Sequence, residues 1–300
     1  MTGSRGHGVE AGAAGIVADL AGLLPRRAAL VAGATVGRAW GRVDGRHLRI
    51  AEDNLAHAFP DWDQARRHAV ALDVYGHFGR VLLDILWMAD RDRDQILRLV
   101  DVTGAEHVEA ARVRGRGALL VTAHVGNWEL HGVAHGFLFG PIGVVARPLD
   151  NPALDARLCE FRRRPGNTVI YKQRALPQVL GLLRDNRAVA ILIDQNVQQG
   201  DGVFVDFFGR RAATTTVAAA LALKTGCALI PTHTELRDDG RYALVYDPPV
   251  ALPAAGDRAG DLQQVTQRLT GEIEGWVRRR PEQWLWLHRR WKTQPVEGGE

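Results

Sequence analysis

Beyond Val100 the chain settles into a rhythm that few architectures can accommodate. Short apolar runs, GALLVTA, PIGVVAR, NTVIY and AVAILID, alternate with stretches of helical periodicity near 104–113, 128–138, 150–164 and 174–185. Strand-length apolar runs alternating with helices are the rhythm of a sheet packed between helices. CALIPTHTEL and the alternating RYALVY add two strands, and a helix follows near 258–280. The expectation is an α/β fold, a central sheet packed between helices. No internal repeat or long linker divides it, so residues 46–300 are expected to form a single domain.

The first 45 residues read differently. After ten polar, Gly-rich positions come apolar segments at 11–24 and 28–39, split by Pro25, Arg26 and Arg27. Neither spans a bilayer. The charge-free run from Ala28 to Gly37 would be about 15 Å long as a helix, against a hydrocarbon core of about 30 Å. Glu10 and Asp19 interrupt the earlier half, and Asp19 falls where a signal peptide needs its apolar core. The expectation is an N-terminal helical, membrane-associating segment over 1–45. Helices lying in the interface with arginines at headgroup level fit this pattern, and a helical cap on the core fits it equally. From Arg46 to Ala89 the periodicity is helical. AEDNLAHAFP stops at Pro60, and Asp61 is expected to cap a long amphipathic helix.

Composition removes several chemistries. Ser4 is the only serine, which excludes a serine nucleophile. No G-x-S-x-G elbow, G-x-x-x-x-G-K-[ST] loop or G-x-G-x-x-G after a strand occurs. Cys159 and Cys227, the only cysteines, offer no disulfide framework or thiolate cluster and suit a reducing compartment. The net charge is +4, carried almost wholly by arginine, which favours an anionic partner.

The segment LLVTAHVGNWEL, 119–130, carries the chemistry. If ALLVTA is a strand, His124 stands at its carboxyl edge, where open α/β sheets bind ligands. Gly126 lets the chain reverse, and Asn127 caps a helix whose first turn holds Glu129. On one regular helix, residues five apart point about 140° away from each other, so His124 and Glu129 can meet only across such a turn. A carboxylate there fixes one ring nitrogen and leaves the other free to take a proton. With no protein nucleophile attached, the nucleophile comes from a substrate, and a hydroxyl attacking an activated acyl group is the economical choice.

Other positions each carry a functional and a plain reading. Arg147, between a strand and a helix beginning near Asn151, suits an anionic headgroup or a carrier phosphate, or is surface decoration. Asp194 and Gln195 close the strand AVAILID, as further polar partners for the reacting groups or as a strand-ending turn. Asp206, Phe207, Phe208 and Gly209 read as a wall for an acyl chain or as core. Arg210 and Arg211 suit phosphate or solvent. His131 and His135 share a helix face at metal-ligand spacing but lack a third ligand, so no metal is expected. In the tail, Trp284, Trp286 and Trp291 are interleaved with arginines. Headgroup anchoring, single-stranded nucleic acid binding and inward packing all produce that pattern.

HVGNWE resembles the H-x-x-x-x-[DE] motif of the glycerolipid acyltransferase superfamily. AEDNLAHAFP, HVGNWEL, ARPLDNPALD, ILIDQN, DGVFVDFFG, TGCALIP and PEQWLWLHRRWK occur in order from about residue 50 to 293. Together they resemble the late lipid A, or lauroyl/myristoyl, acyltransferases and the related phosphatidylinositol mannoside acyltransferases. The resemblance implies that His124 and Glu129 together deprotonate an acceptor sugar hydroxyl, which attacks the thioester of acyl carrier protein or coenzyme A. Those donors are co-substrates and no other cofactor is implied. It also implies a mixed central sheet flanked by helices, and membrane lipids as partners, at the cytoplasmic face of the inner membrane, with peripheral or monotopic attachment. The substrate-binding residues expected are Asn127, Arg147, Asp194, Gln195, Asp206, Phe207, Phe208 and Arg210. Asp206 stands where lipid A enzymes commonly carry proline and resembles the mannoside branch, whereas LHRRWKT resembles the lipid A branch. Both acceptors stay open, as does a lysophospholipid. A non-catalytic basic module binding membrane or nucleic acid is the contrasting reading. It gives no reason for a His-Glu pair at a strand end, and nucleic acid is not an expected partner.

Overall fold

A computed structural model describes residues 22–173, 175–254 and 257–295. Three helices lead, α1 (Arg26–Val43), α2 (Gly45–Ala58) and α3 (Gln64–Met88). The apolar stretch at 11–21 lies outside the described residues. A short α4 (Arg93–Leu97) then delivers the chain to the sheet.

Helices α1 and α3 pack backbone to backbone. A methyl group on Gly33 would run into the carbonyl of Gly79, and one on Gly37 into that of Tyr75. Glycine inside a helix costs roughly 0.5–1 kcal/mol relative to alanine, a cost offset here by the close approach. Arg26 pins the pair through two 2.7 Å hydrogen bonds to Asp84, and Arg38 reaches Asp73 at 2.7 Å. The face of α1 turned away from α3 is apolar, with Val31, Val36, Trp40 and Val43 all more than 60% exposed. Among the described residues no helix is long and apolar enough to cross a membrane.

Asp63, not Asp61, caps α3, accepting from the Arg66 N–H at 2.7 Å. Residues 59–62 are needed for a turn in which the Phe59 and Trp62 rings stack at 4.0 Å. The helix can begin only after it.

The apolar runs form a mixed seven-stranded sheet. Its strands are β1 (Val100–Thr103), β2 (Ala118–Thr122), β3 (Gly143–Ala146), β4 (Thr168–Tyr171), β5 (Ala188–Leu192), β8 (Ala228–Leu236) and β9 (Tyr242–Tyr246). Their spatial order is β1-β9-β8-β2-β5-β3-β4. Strands β8, β2, β5, β3 and β4 run parallel, while β9 is antiparallel to β8 and carries β1 parallel to itself. Central β2 is buried along its whole length. Its Leu119 and Val121 join one apolar cluster and Leu120 the other, so both faces are covered, as an unalternating strand demands. The helices α5 (Ala105–Arg114), α6 (Trp128–Phe139) and α7 (Pro152–Arg163) contribute to the cluster around Leu120. α8 (Ala175–Arg184), α9 (Val217–Thr225) and α10 (Arg258–Arg279) contribute to the opposite one.

Among the elements with no counterpart in the sequence reading are α4, β1, α9 and an antiparallel hairpin of β6 (Val203–Phe207) and β7 (Arg210–Thr214). The hairpin turns on Phe208 and Gly209, both at positive φ, 55° and 72°. That is the geometry whose twist matches paired strands.

Candidate active site

His124 lies two residues past the end of β2, at the carboxyl edge of the parallel strands. Gly126 then reverses the chain at φ 59°, a conformation that favours glycine. A Cβ there would also strike the carbonyl of Thr234. Asn127 caps α6, its side-chain oxygen accepting from the Leu130 N–H at 3.0 Å, and Glu129 lies in the first helical turn. The strand, turn and helix are as the sequence predicts. Asn127 itself is fully buried and is not among the residues lining the cavity described below, so its place is structural.

The carboxylate on the imidazole is a different one from that expected. His124 Nδ1 lies 2.8 Å from Asp194 Oδ1, and the His124 backbone N–H donates to Asp194 Oδ2 at 2.9 Å. Asp194 follows β5, the strand beside β2, so adjacent strand ends bring the two residues together. Trp284 Nε1 also donates to Asp194 Oδ2, at 2.8 Å. Glu129 instead accepts from Arg162 of α7, at 2.7 Å and 2.5 Å, and from Trp128 Nε1 at 3.0 Å. The Trp128 indole packs edge-on against the His124 ring, centroids 5.0 Å apart. Expected as the hydrogen-bonded orienter of His124, Glu129 is held away from it by a buried ion pair. Its position in the first turn of α6 aims it at the neighbouring helix.

The electrostatics follow. Burial pulls the His124 pKa down, but the charge and hydrogen bond of Asp194, with the charge of Glu129 beyond, outweigh it and leave the imidazole above its ordinary value. Burial pushes Asp194 up, yet the charge and hydrogen bond of His124 hold it well below the usual carboxylate range. Asp194 is therefore an anion that accepts from Nδ1–H, leaving Nε2 as the basic nitrogen. Nε2 has no hydrogen-bond partner among the described residues.

The C-terminal segment braces this corner. Gly126 N–H donates to Gln283 O at 3.0 Å, Leu285 N–H donates to His124 O at 3.1 Å, and Val125 bridges Trp284. Trp284, Trp286 and Trp291 are all buried, which corrects the headgroup reading of the tail. Of the two arginines between Trp286 and Trp291, Arg290 is buried against Ala213 O and Thr214 Oγ1, while Arg289 is exposed.

A cavity of about 1010 Å³ opens at His124. Arg147, Lys172 and Gln195 line it, together with apolar side chains such as Val144, Leu158, Leu176 and Val179. Arg147 is largely exposed and sits 3.8 Å from Asp150. Three buried polar atoms of lining residues, Thr122 Oγ1, His131 Nδ1 and Arg162 Nη1, have no partner among the described residues. Asp206, Phe207, Phe208 and Arg210 are not among the lining residues. Phe207 packs on Trp284 and Trp291, Phe208 on Phe59 and Trp286, and Asp206 Oδ1 accepts from Gly209 N–H to close the hairpin turn. They are core and turn and form no part of this cavity's wall.

His131 and His135 are buried in separate hydrogen bonds, to Thr232 Oγ1 at 2.9 Å and Tyr246 OH at 2.8 Å. Among the described residues there is no group of three or more His, Cys, Asp or Glu able to hold a metal. The sequence reading missed Arg162 and Trp284 as site partners. Both are distant in sequence, and only the fold brings them in.

Residues 11–293 match the model of a family described as bacterial lipid A biosynthesis acyltransferase. The chain is 30% identical over 255 residues to the lipid A biosynthesis lauroyltransferase of Escherichia coli K12, covering 83% of this chain and 80% of that protein. It is 31% identical over 204 residues to the phosphatidylinositol mannoside acyltransferase of Mycolicibacterium smegmatis, covering 67% and 65%. A lipid A biosynthesis acyltransferase of Haemophilus influenzae is 25% identical over 238 residues, covering 79% and 73%. With most of its length matched, the chain belongs to the bacterial lipid A biosynthesis acyltransferase family.

Proposed function

We propose that the protein works at the membrane surface, moving a fatty acyl group from an acyl carrier protein or coenzyme A thioester to a hydroxyl of a glycolipid. The single observation that carries this reading is the imidazole of His124, held through Nδ1 by Asp194 with Nε2 unpartnered among the described residues, at a cavity whose wall is mainly apolar. Nε2 takes the proton of the acceptor hydroxyl as its oxygen attacks the thioester carbonyl carbon. The tetrahedral intermediate collapses with cleavage of the C–S bond, and the departing thiolate takes the proton back from Nε2. Arg162 Nη1 and the Thr122 hydroxyl, both unpartnered, are the groups available to the carbonyl oxygen as its charge grows. Arg147 and Lys172 offer cationic contacts for phosphate on donor or acceptor. The apolar outer face of α1 suits peripheral attachment, on the cytoplasmic side, where acyl thioesters are found.

Relatives named for lipid A and for phosphatidylinositol mannosides align at nearly equal identity, which favours a glycolipid acceptor over a lysophospholipid. The test is transfer of labelled acyl groups from carrier protein and from coenzyme A in membrane extracts, with the acylated lipid identified by mass spectrometry. His124→Ala should abolish transfer while the melting temperature holds. Transfer at the normal rate by that variant would remove His124 from the chemistry.

A further inference from the structure

A second cavity, of about 570 Å³, lies on the same edge of the sheet as His124. The turn from β8 to β9, residues 237–240, forms one side of it, and the facing parts of α1 and α3 form the other. Phe78 of α3 packs on Trp128, a wall residue of the first cavity. Its neighbour His77 lines the second. The catalytic reading gives this second cavity no part.

Some of its charges are paired and others open. Arg237 is held by Asp101 at 2.7 Å and Arg280 by Glu235 at 2.8 Å. The guanidinium groups of Arg27 and Arg80 have no partner among the described residues, and both line the cavity. Glu282, on the same wall, likewise has no ion pair among the described residues. Asp239 spends one oxygen on the Arg241 backbone N–H at 2.8 Å. The floor holds a buried histidine with one committed nitrogen. His77 Nε2 donates to the Gly126 carbonyl at 3.1 Å, and Nδ1 has no partner among the described residues. Burial keeps this ring neutral, its pKa pulled down to about 4, so Nδ1 is an acceptor. The cavity therefore presents unpaired cations and unpaired acceptors together.

The rim continues into hydrocarbon-compatible surface. Val31 lines the cavity and begins the exposed apolar face that runs on through Val36, Trp40 and Val43. Between Arg27 and Arg42 the only charged residue of α1 is Arg38, and it turns to Asp73 of α3. A soluble zwitterion would leave that face in water. A purely anionic lipid would meet the carboxylates of the rim.

We propose that this cavity seats the headgroup of a zwitterionic primary-amine phospholipid, with phosphate at Arg27 and Arg80, ammonium toward Glu282, Asp239 and His77 Nδ1, and acyl chains along α1. The assignment rests on the membrane-surface reading above and adds to it a second, non-substrate lipid site. Each headgroup charge then meets an opposite partner that the fold leaves unspent.

The test is flotation of the full-length protein with vesicles of phosphatidylcholine alone, phosphatidylcholine with phosphatidylethanolamine, and phosphatidylcholine with phosphatidylglycerol. The expected order places phosphatidylethanolamine first. Arg27→Gln and Arg80→Gln should each weaken that preference by about tenfold, the effect of losing one charge-assisted contact. Their unchanged melting temperatures and unchanged transfer to detergent-dispersed acceptor would show the fold to be intact. Trp40→Ser should weaken binding to all three vesicles alike. Equal flotation with all three lipids, preference for phosphatidylglycerol, or indifference to both arginine changes would overturn the headgroup site while leaving surface attachment standing. Failure to float with any vesicle would overturn both.

Discussion

His124 Nδ1 and Asp194 Oδ1 are 2.8 Å apart across two adjacent strand ends, while Glu129, the acidic residue of the H-x-x-x-x-E motif, is paired with Arg162 at 2.5 Å. The two carboxylates therefore do different work, and substitution separates them. Asp194→Asn removes the charge that stabilises the imidazolium and presents Nδ1 with an amide able to impose the wrong tautomer. A loss of about 10²–10⁴ in kcat, with KM nearly unchanged, is expected. Glu129→Gln leaves Arg162 buried without its counter-charge. It should lower stability by about 3 kcal/mol, read as a fall in melting temperature alongside any loss of rate. A Glu129→Gln variant that melts normally yet is as slow as Asp194→Asn would return Glu129 to the chemistry itself.

The same pair sets the pH response. A general base acts when neutral, and Asp194 and Glu129 together hold His124 above its ordinary value of 6.5 despite burial. The acidic limb of kcat/KM should therefore lie above pH 6.5, with activity falling as pH drops through it. Asp194→Asn removes the larger of the two carboxylate influences, lets burial act, and should move the limb to lower pH. Stability has the opposite sign. A folded-state pKa raised above the unfolded one gives a contribution that is complete below the unfolded value and is lost as pH rises through the folded value. Rate profiles and melting curves across one buffer series would show the two trends crossing.

Much of this was legible in one dimension because the signals were local. The run ALLVTA is uninterrupted since β2 is covered on both faces, and Gly126 and Asn127 occupy the turn and cap that their chemistry favours. Partner choice was not legible. A motif spacing of five places Glu129 near the strand end but does not say which way a first-turn side chain points, and Arg162 lies 33 residues away. The hairpin escaped for a related reason: DFFGR reads as apolar wall plus turn, and only the packing of Phe207 and Phe208 on the C-terminal tryptophans shows that the wall belongs to the core. Strand β1, VDVT, sits at the sheet edge, half exposed, and carries no apolar run to announce it.

The seam between α1 and α3 has little tolerance for added volume. Gly79→Ala places a methyl group against the carbonyl of Gly33 and the backbone of Gly37. Alanine's better helix propensity, worth up to about 1 kcal/mol, does not offset the separation of two helices. Net destabilisation of about 1–3 kcal/mol is expected, as for overpacked cores. It would be measured as a lower denaturant midpoint with an unchanged slope. If Gly79→Ala proves stabilising, the helices are not in backbone contact.

Trp284 is the most direct test of how the C-terminal segment supports the reacting groups. Its Nε1–H is a donor to Asp194 Oδ2, which among the described residues otherwise accepts only from the His124 backbone N–H. Trp284→Phe keeps an aromatic ring among Phe207 and Trp286 but withdraws that hydrogen bond, leaving a buried carboxylate oxygen less satisfied. A stability loss of about 1–3 kcal/mol follows from the missing bond, with some further loss from the smaller ring. The carboxylate is also freed to rotate, so the Nδ1 contact of His124 loosens and kcat should fall, though less than in Asp194→Asn, where the charge itself is gone. Because Asp194 remains ionised, the acidic limb should move only slightly. A variant with full kcat and a lowered melting temperature would reduce Trp284 to packing alone and would leave the orientation of Asp194 to its bonds with His124.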